Sequence, residues 1–236
     1  MSETIEIQRP PQSASAPTTG SPTATRTYSA SLVVLSRPAE AAAEAIRALR
    51  TDVMAQHVQL GRRALAVCGA SLSVGCTFVA TNLAVSLAQI GVKTLLIDAN
   101  MRSPGIDLLI KPKPGTLGLA QCLGSPETTF TACVDADVLP YLSIMYAGGV
   151  AADAQELLAG ERFKELMDFC LRDFDVTIVD TPPANSCADA RRISTVVGYS
   201  LLVARRDKTF VDDLKILAGQ LEASHARVVG TVLNRA

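Results

Sequence analysis

Residues 68–104 read CGASLSVGCTFVATNLAVSLAQIGVKTLLIDANMRSP, and this stretch decides the fold. A strand over residues 65–68 runs into a glycine-containing loop. A long apolar helix follows over residues 77–90, stopped by Gly91. A second strand then ends in Asp98. This is the outline of a phosphate-binding loop, in which backbone N–H groups at a helix N-terminus hold an anion without side-chain charge. Gly75 permits close backbone approach, and the Thr77 hydroxyl suits Mg²⁺. The full pattern is G-x-x-x-x-G-K-S/T. Here its first glycine falls on Ala70, Gly69 stands one residue early, and the lysine position holds Cys76.

Two strand ends complete the constellation. Asp98 closes LLID, at the carboxyl end of a strand, where ligands collect in open α/β sheets. FDVTIVDTPP, residues 174–183, places Asp180 at the end of another apolar strand, and Pro182–Pro183 break the chain after it. An aspartate there reaches Mg²⁺ directly or through water.

Around this core, strands and helices alternate from residue 63 onward. ALAVC, KTLLID, LSIMYA, DVTIVD, YSLLVARR and RVVGTVLN read as strands. GTLGLAQCL, residues 154–174, CADARRISTVV and residues 209–224 read as helices. The strands lack polar alternation, so both faces are buried, as in a parallel sheet covered by helices. The predicted class is α/β: a doubly wound, mostly parallel sheet flanked by helices, of P-loop NTPase type. Residues 1–35, rich in Pro, Ser, Thr and Ala, read as a disordered tail that buries too little apolar surface to offset its ordering entropy. Residues 36–236 form the domain, which begins with an Ala-rich helix after Ser36, Pro38 and Glu40.

Composition narrows the rest. The chain has 236 residues, 48% hydrophobic, with net charge −1, no Trp and 4% aromatic residues. Nothing in charge or stacking residues points to nucleic acid. The six cysteines form no C-x-x-C pair, which reads as free thiols in a reducing, cytosolic setting. His57 and His225 carry no motif. No apolar run reaches the roughly 18–20 residues that span a bilayer, and no signal peptide is read at the start. Association with a membrane is therefore expected through a partner, without direct insertion.

The chain resembles the cytoplasmic domain of bacterial tyrosine kinases and polysaccharide co-polymerases, within the ParA- and MinD-like P-loop group. The likeness covers residues 40–234. It rests on Ser71-Leu72…Gly75-Cys76-Thr77, on Asp98-Ala99-Asn100-Met101-Arg102-Ser103-Pro104 against the family's D-x-D-x-R-x-P, and on Asp180-Thr181-Pro182-Pro183. GLAQCLGS, AGGVAADAQELLAG and the closing VVGTVLN add to it. Glu44, Arg47 and Arg50 fit the family's E-x-x-R-x-x-R oligomerisation motif and make a slanted helical ridge. A solvated face with an internal Glu–Arg pair is the competing reading of that ridge.

The resemblance implies a nucleotide site at Gly75, Cys76, Thr77 and Phe78, with Asn234 near the adenine. It implies Mg²⁺ at Thr77, Asp98 and Asp180, and an interface at Glu44, Arg47 and Arg50. Mg-ATP or Mg-ADP is the cofactor it implies, and none is fixed by the residues alone. The implied partners are a membrane-embedded, Wzz-like polysaccharide co-polymerase subunit and further copies of the chain. The implied location is cytoplasmic, peripheral to the inner membrane. Three departures bear on catalysis. Cys76 replaces the phosphate lysine, Asn100 replaces the second Asp of D-x-D, and no tyrosine cluster closes the chain. A neutral thiol at Cys76 supplies no positive charge, and a thiolate, which a helix N-terminus can favour by lowering the cysteine pKa, would repel phosphate. Arg102 is the nearest substitute cation. The expected function is a degenerate, non-catalytic or barely catalytic subunit of an exopolysaccharide machine, with Asp98 and Asp180 as vestigial catalytic residues. The alternatives are an active Mg-ATP-dependent tyrosine kinase, a slow ATPase, or a ParA-like positioning ATPase.

Overall fold

The computed structural model describes residues 26–235, so the expected tail over residues 1–25 lies outside the described residues. The elements run α1 (Val33–Ser36), α2 (Ala41–Gln56), β1 (Ala64–Gly69), α3 (Cys76–Ala88), β2 (Thr94–Asp98), α4 (Ile106–Leu109) and α5 (Leu119–Gly124). They continue β3 (Asp135–Leu139), β4 (Leu142–Met145), α6 (Ala154–Ala159), α7 (Glu161–Asp173), β5 (Val176–Asp180), α8 (Asp189–Val197), β6 (Tyr199–Arg205), α9 (Val211–Ala223) and β7 (Arg227–Asn234).

Seven strands form one sheet in the order β3-β4-β2-β5-β1-β6-β7. All neighbours pair in parallel except β3 with β4. The central strands β1, β2 and β5 are buried along their whole length, which is why their sequences read as apolar runs. Alternate residues serve two cores. Leu65 and Val67 of β1 face α1–α4, whereas Ala64, Ala66 and Cys68 face α5–α9. The expected doubly wound class is thus the observed one.

Helix α3 carries no polar stripe because α2 covers the side that would otherwise meet water. Its few buried polar groups are satisfied by neighbours. Asn82 Nδ2 donates to the Ser31 and Phe78 carbonyls at 3.1 and 2.9 Å, and Ser86 receives Arg50.

Two expectations need correction, and one element is new. Residues 26–35 belong to the folded body rather than to a tail. Leu32, Val33 and Val34 are buried against α2 and α3, Arg26 pairs with Asp135 through two contacts of 2.7 and 2.6 Å, and Ser29 N–H donates to the Leu109 carbonyl. The helix over residues 154–174 is two helices. Gly160 takes an extended conformation, with ψ of 158°, and breaks it into α6 and α7. An antiparallel edge strand, β3, occupies a segment to which the sequence reading assigns no element.

Candidate functional site

The loop after β1 is shaped by residues from the far end of the chain. Gly75 has φ of +101°, a left-handed conformation that glycine adopts without strain. A Cβ at this position would overlap the Asn234 amide nitrogen. Asn234 Nδ2 donates to the Val74 carbonyl at 3.0 Å, and Arg205 Nη1 donates to the Ser73 carbonyl at 3.1 Å. These bonds hold two successive carbonyls toward β6 and β7. In a planar trans peptide the following N–H points the opposite way. The amides of Val74 and Gly75 accordingly face away from Arg205 and Asn234, and they have no acceptor among the described residues. Donors left open beside a helix N-terminus fit an anion. Arg205 was not singled out in the sequence, since a basic residue at a strand end carries no spacing signal.

Cys76 turns inward. Its Sγ lies 2.7 Å from where a Cβ on Gly69 would sit, so the missing side chain of Gly69 makes room for the thiol. Burial first, then the Asp180 and Cys68 neighbours, push its pKa well above the ordinary thiol value. Of the two forms the sequence leaves open, the neutral thiol is the one this raised pKa favours: desolvation outweighs the helix N-terminus, and Cys76 supplies no charge of either sign.

Thr77 and the two strand-end aspartates do converge. Asp98 and Asp180 are register partners on the adjacent strands β2 and β5. Thr77 Oγ1 donates to Asp180 Oδ2 at 2.6 Å, and Asp180 Oδ1 is buried without a hydrogen-bond partner among the described residues. Burial and the nearby Asp98 push the Asp180 carboxyl well above the usual carboxylate range. Asp98 is fully engaged. Its Oδ1 accepts from Asn100 N–H at 3.1 Å, and its Oδ2 accepts from Gly105 and Ile106 N–H, each at 3.0 Å. Gly105 lies against Thr77, where a Cβ would meet the threonine methyl at 3.2 Å. A hydroxyl beside a carboxylate with an orphaned oxygen is a hard-oxygen donor set of the kind Mg²⁺ takes. Thr77 and Asp180 fit that ion, whereas Asp98 already spends both oxygens on backbone amides.

The remaining candidates are placed as follows. Asn100 Oδ1 accepts from Ser103 N–H and closes a turn. Arg102 is held on the buried Asp189 carboxylate through contacts of 2.7 and 3.3 Å, so it is committed away from the loop. Phe78 and Asn234 line one cavity of about 520 Å³ between α2, α3 and β7, together with Ile46 and Leu49. On α2, Arg47 bonds Glu44 at 2.9 Å and the Pro38 carbonyl at 2.7 Å. Arg50 turns onto α3, donating to the Ser86 carbonyl and hydroxyl, each at 3.2 Å. The three charges thus do not project as one ridge. Two form the internal pair and the third staples α2 to α3.

A seven-stranded, mostly parallel sheet with this loop between β1 and α3 defines a P-loop NTPase-like fold. The septum-site protein MinD of Pyrococcus horikoshii, solved with Mg-ADP, shares the fold at a TM-score of 0.64 and 17% identity over 73% of this chain and 70% of its own. The chain's homologues are bacterial tyrosine-protein kinases, and its structural neighbours are their kinase domains. It is 30% identical over 209 residues to the tyrosine-protein kinase Etk of Escherichia coli K12, covering 89% of this chain and 28% of Etk. It is 28% identical over 204 residues to CapB of Staphylococcus aureus, covering 86% of this chain and 89% of CapB. The solved kinase domain of E. coli Etk superposes with a TM-score of 0.81 at 28% identity, covering 90% of this chain and 82% of that one. The chain thus spans under a third of the length of Etk and most of CapB. No protein-family model matches the chain.

Proposed function

We propose that this chain is a non-catalytic, or barely catalytic, kinase-like subunit of an exopolysaccharide polymerisation and export system, working with a membrane-embedded co-polymerase partner. The observation that carries this reading is Cys76: a neutral thiol, tucked over Gly69, stands where phosphoryl transfer needs a cation. A transition-state cation of this kind is worth about 10³–10⁵ in rate. Neither of two candidate cations among the described residues replaces it. Arg102 is spent on Asp189, and Arg205 on the Ser73 carbonyl.

Nucleotide binding is a separate matter from turnover. The open amides of Val74 and Gly75, together with Thr77 and the orphaned oxygen of Asp180, favour retention of Mg-nucleotide as a structural ligand. When bound, Mg²⁺ would neutralise phosphate charge. The chain's own residues hold the loop, orient the hydroxyl and exclude water around Asp180. Regulation would then act through docking rather than phosphorylation, with Glu44 and Arg47 at the exposed end of α2 offered to a neighbouring subunit. Calorimetric titration of the purified chain with Mg-ADP tests the retained site. Saturable binding that is lost in Asp180→Ala is expected, and absence of any binding would make the site purely structural.

A further inference from the structure

We propose that the turn between β6 and α9 is a contact surface for anionic phospholipid headgroups, a direct membrane contact beyond the partner-mediated one. Arg205, Arg206, Lys208 and Arg235 surround an open concavity of about 480 Å³ in which Asp207 is the one carboxylate among the described residues. Arg205 is tied back to the loop at Ser73. Arg206 makes a 3.4 Å pair with Asp207 in which both side chains are mostly exposed, so water screens it. Lys208 and Arg235 have no ion-pair partner among the described residues. This excess of cations stands out on a chain whose net charge is −1.

Apolar side chains project beside the cations. Phe210 is 75% exposed and Val211 65% exposed, at the junction where the extended turn enters α9. Leu72 is exposed on the loop whose neighbour Ser73 is held by Arg205, and Leu233 is exposed next to Asn234, whose carbonyl accepts from Arg206 N–H. Lone exposed apolar residues are ordinary, but here each lies within three residues of a cation of the cluster or beside a residue that one of them bonds. The turn itself is rigid enough to present them. Asp207 holds φ of +60°, Arg205 N–H donates to Thr209 Oγ1 at 2.9 Å, and Thr209 N–H donates to the Arg205 carbonyl.

Charge complementarity selects an anionic occupant. Basic residues near an anionic leaflet each strengthen attraction within about a Debye length, and a shallow apolar contact supplies the second signal that stable surface binding needs. An acidic polypeptide would satisfy the cations but leave Phe210 and Val211 in water, since the concavity is lined by charged residues alone. At the start of α9, Asp212 makes an equally exposed 3.7 Å pair with Lys215, and Asp213 lines a separate cavity with Arg191.

The test is co-sedimentation of the full chain with vesicles of phosphatidylglycerol and phosphatidylethanolamine, against vesicles of phosphatidylcholine alone. Binding to the anionic vesicles only, weakened by salt, is expected. Arg206→Gln with Lys208→Gln should lower partitioning at least tenfold, and Phe210→Ser several-fold, with unchanged melting temperatures. These surface residues lie outside the nucleotide cradle, so Mg-ADP titration should be unaffected in both variants, which separates failure here from failure of the proposed function. No binding to anionic vesicles at low salt would overturn the proposal, as would binding that both variants retain. Loss in the double variant with none in Phe210→Ser, together with equal capture by polyglutamate, would reassign the surface to an acidic protein and likewise overturn it.

Discussion

Thr77 and Asp180 lie 103 residues apart in sequence, and the threonine hydroxyl donates to Asp180 Oδ2 at 2.6 Å while Oδ1 stays buried and unpartnered. An ionised carboxylate so placed is costly. Burial and the neighbouring Asp98 raise its pKa, so the folded chain holds the proton more tightly than the unfolded chain. Stability from this group is then greatest below the unfolded pKa, about 3.9, and is lost as pH rises through the folded value. Asp180→Asn should melt higher than wild type at neutral pH. The gap should shrink toward zero near about pH 4, and Mg²⁺ should narrow it at neutral pH by favouring the ionised form. A gap that does not change with pH would count against a raised pKa.

Cys76→Lys restores the cation to a cradle that is otherwise formed. The longer side chain cannot follow the thiol into the space over Gly69 and must project toward the open amides. Affinity for Mg-ADP should rise about tenfold to a hundredfold, the value of a charge-assisted hydrogen bond. Hydrolysis should recover far less, and adding Asn100→Asp should help hydrolysis more than binding. Equal affinity in wild type and the lysine variant would show that another group already fills the role.

Gly75→Ala sets two costs apart. One is the left-handed backbone, about 1 kcal/mol for a non-glycine residue. The other is overlap with Asn234, which must release the Val74 carbonyl. Denaturant unfolding should show a loss of about 1–3 kcal/mol. Adding Asn234→Ala should recover only the steric part. Additive losses in the double variant would mean that the two residues do not touch.

On α2, the two arginines should behave differently. Arg50→Ala removes the staple to Ser86 and leaves a buried serine unpaired, with an expected loss of about 1–2 kcal/mol. Arg47→Ala removes a surface i, i+3 pair and an exposed hydrogen bond to the Pro38 carbonyl, and should cost under about 1 kcal/mol. If Glu44 and Arg47 serve an interface, Arg47→Ala alone should shift the mass distribution in analytical ultracentrifugation without lowering the melting temperature. Unchanged association would confine the pair to the helix surface.

The sheet was legible because its central strands are apolar runs ending in Asp98 and Asp180, and the resemblance carried the loop. What escaped reading did so for local reasons. Strand β3 reads D-A-D-V-L, and Asp135 is used by Arg26, a pairing 109 residues apart that no periodicity reveals. The buried Leu32-Val33-Val34 was masked by the Pro/Ser/Thr-rich sequence before it. Gly160 sits between two good helix formers, and only its backbone angle shows the break. At the site, the sequence singles out Thr77 and Asp180, which the fold brings into contact, but it could not show that Asp98 caps three backbone amides, or that Arg102 is spent on Asp189. Those are partner assignments, set by three-dimensional packing.

The central claim, loss of turnover with retention of the cradle, is tested most directly by phosphate release from ATP by the purified chain in Mg²⁺, with Asp180→Ala as the blank. A rate indistinguishable from that blank is expected, with no phosphotyrosine on the protein. Robust release in wild type that disappears in Asp180→Ala would contradict it.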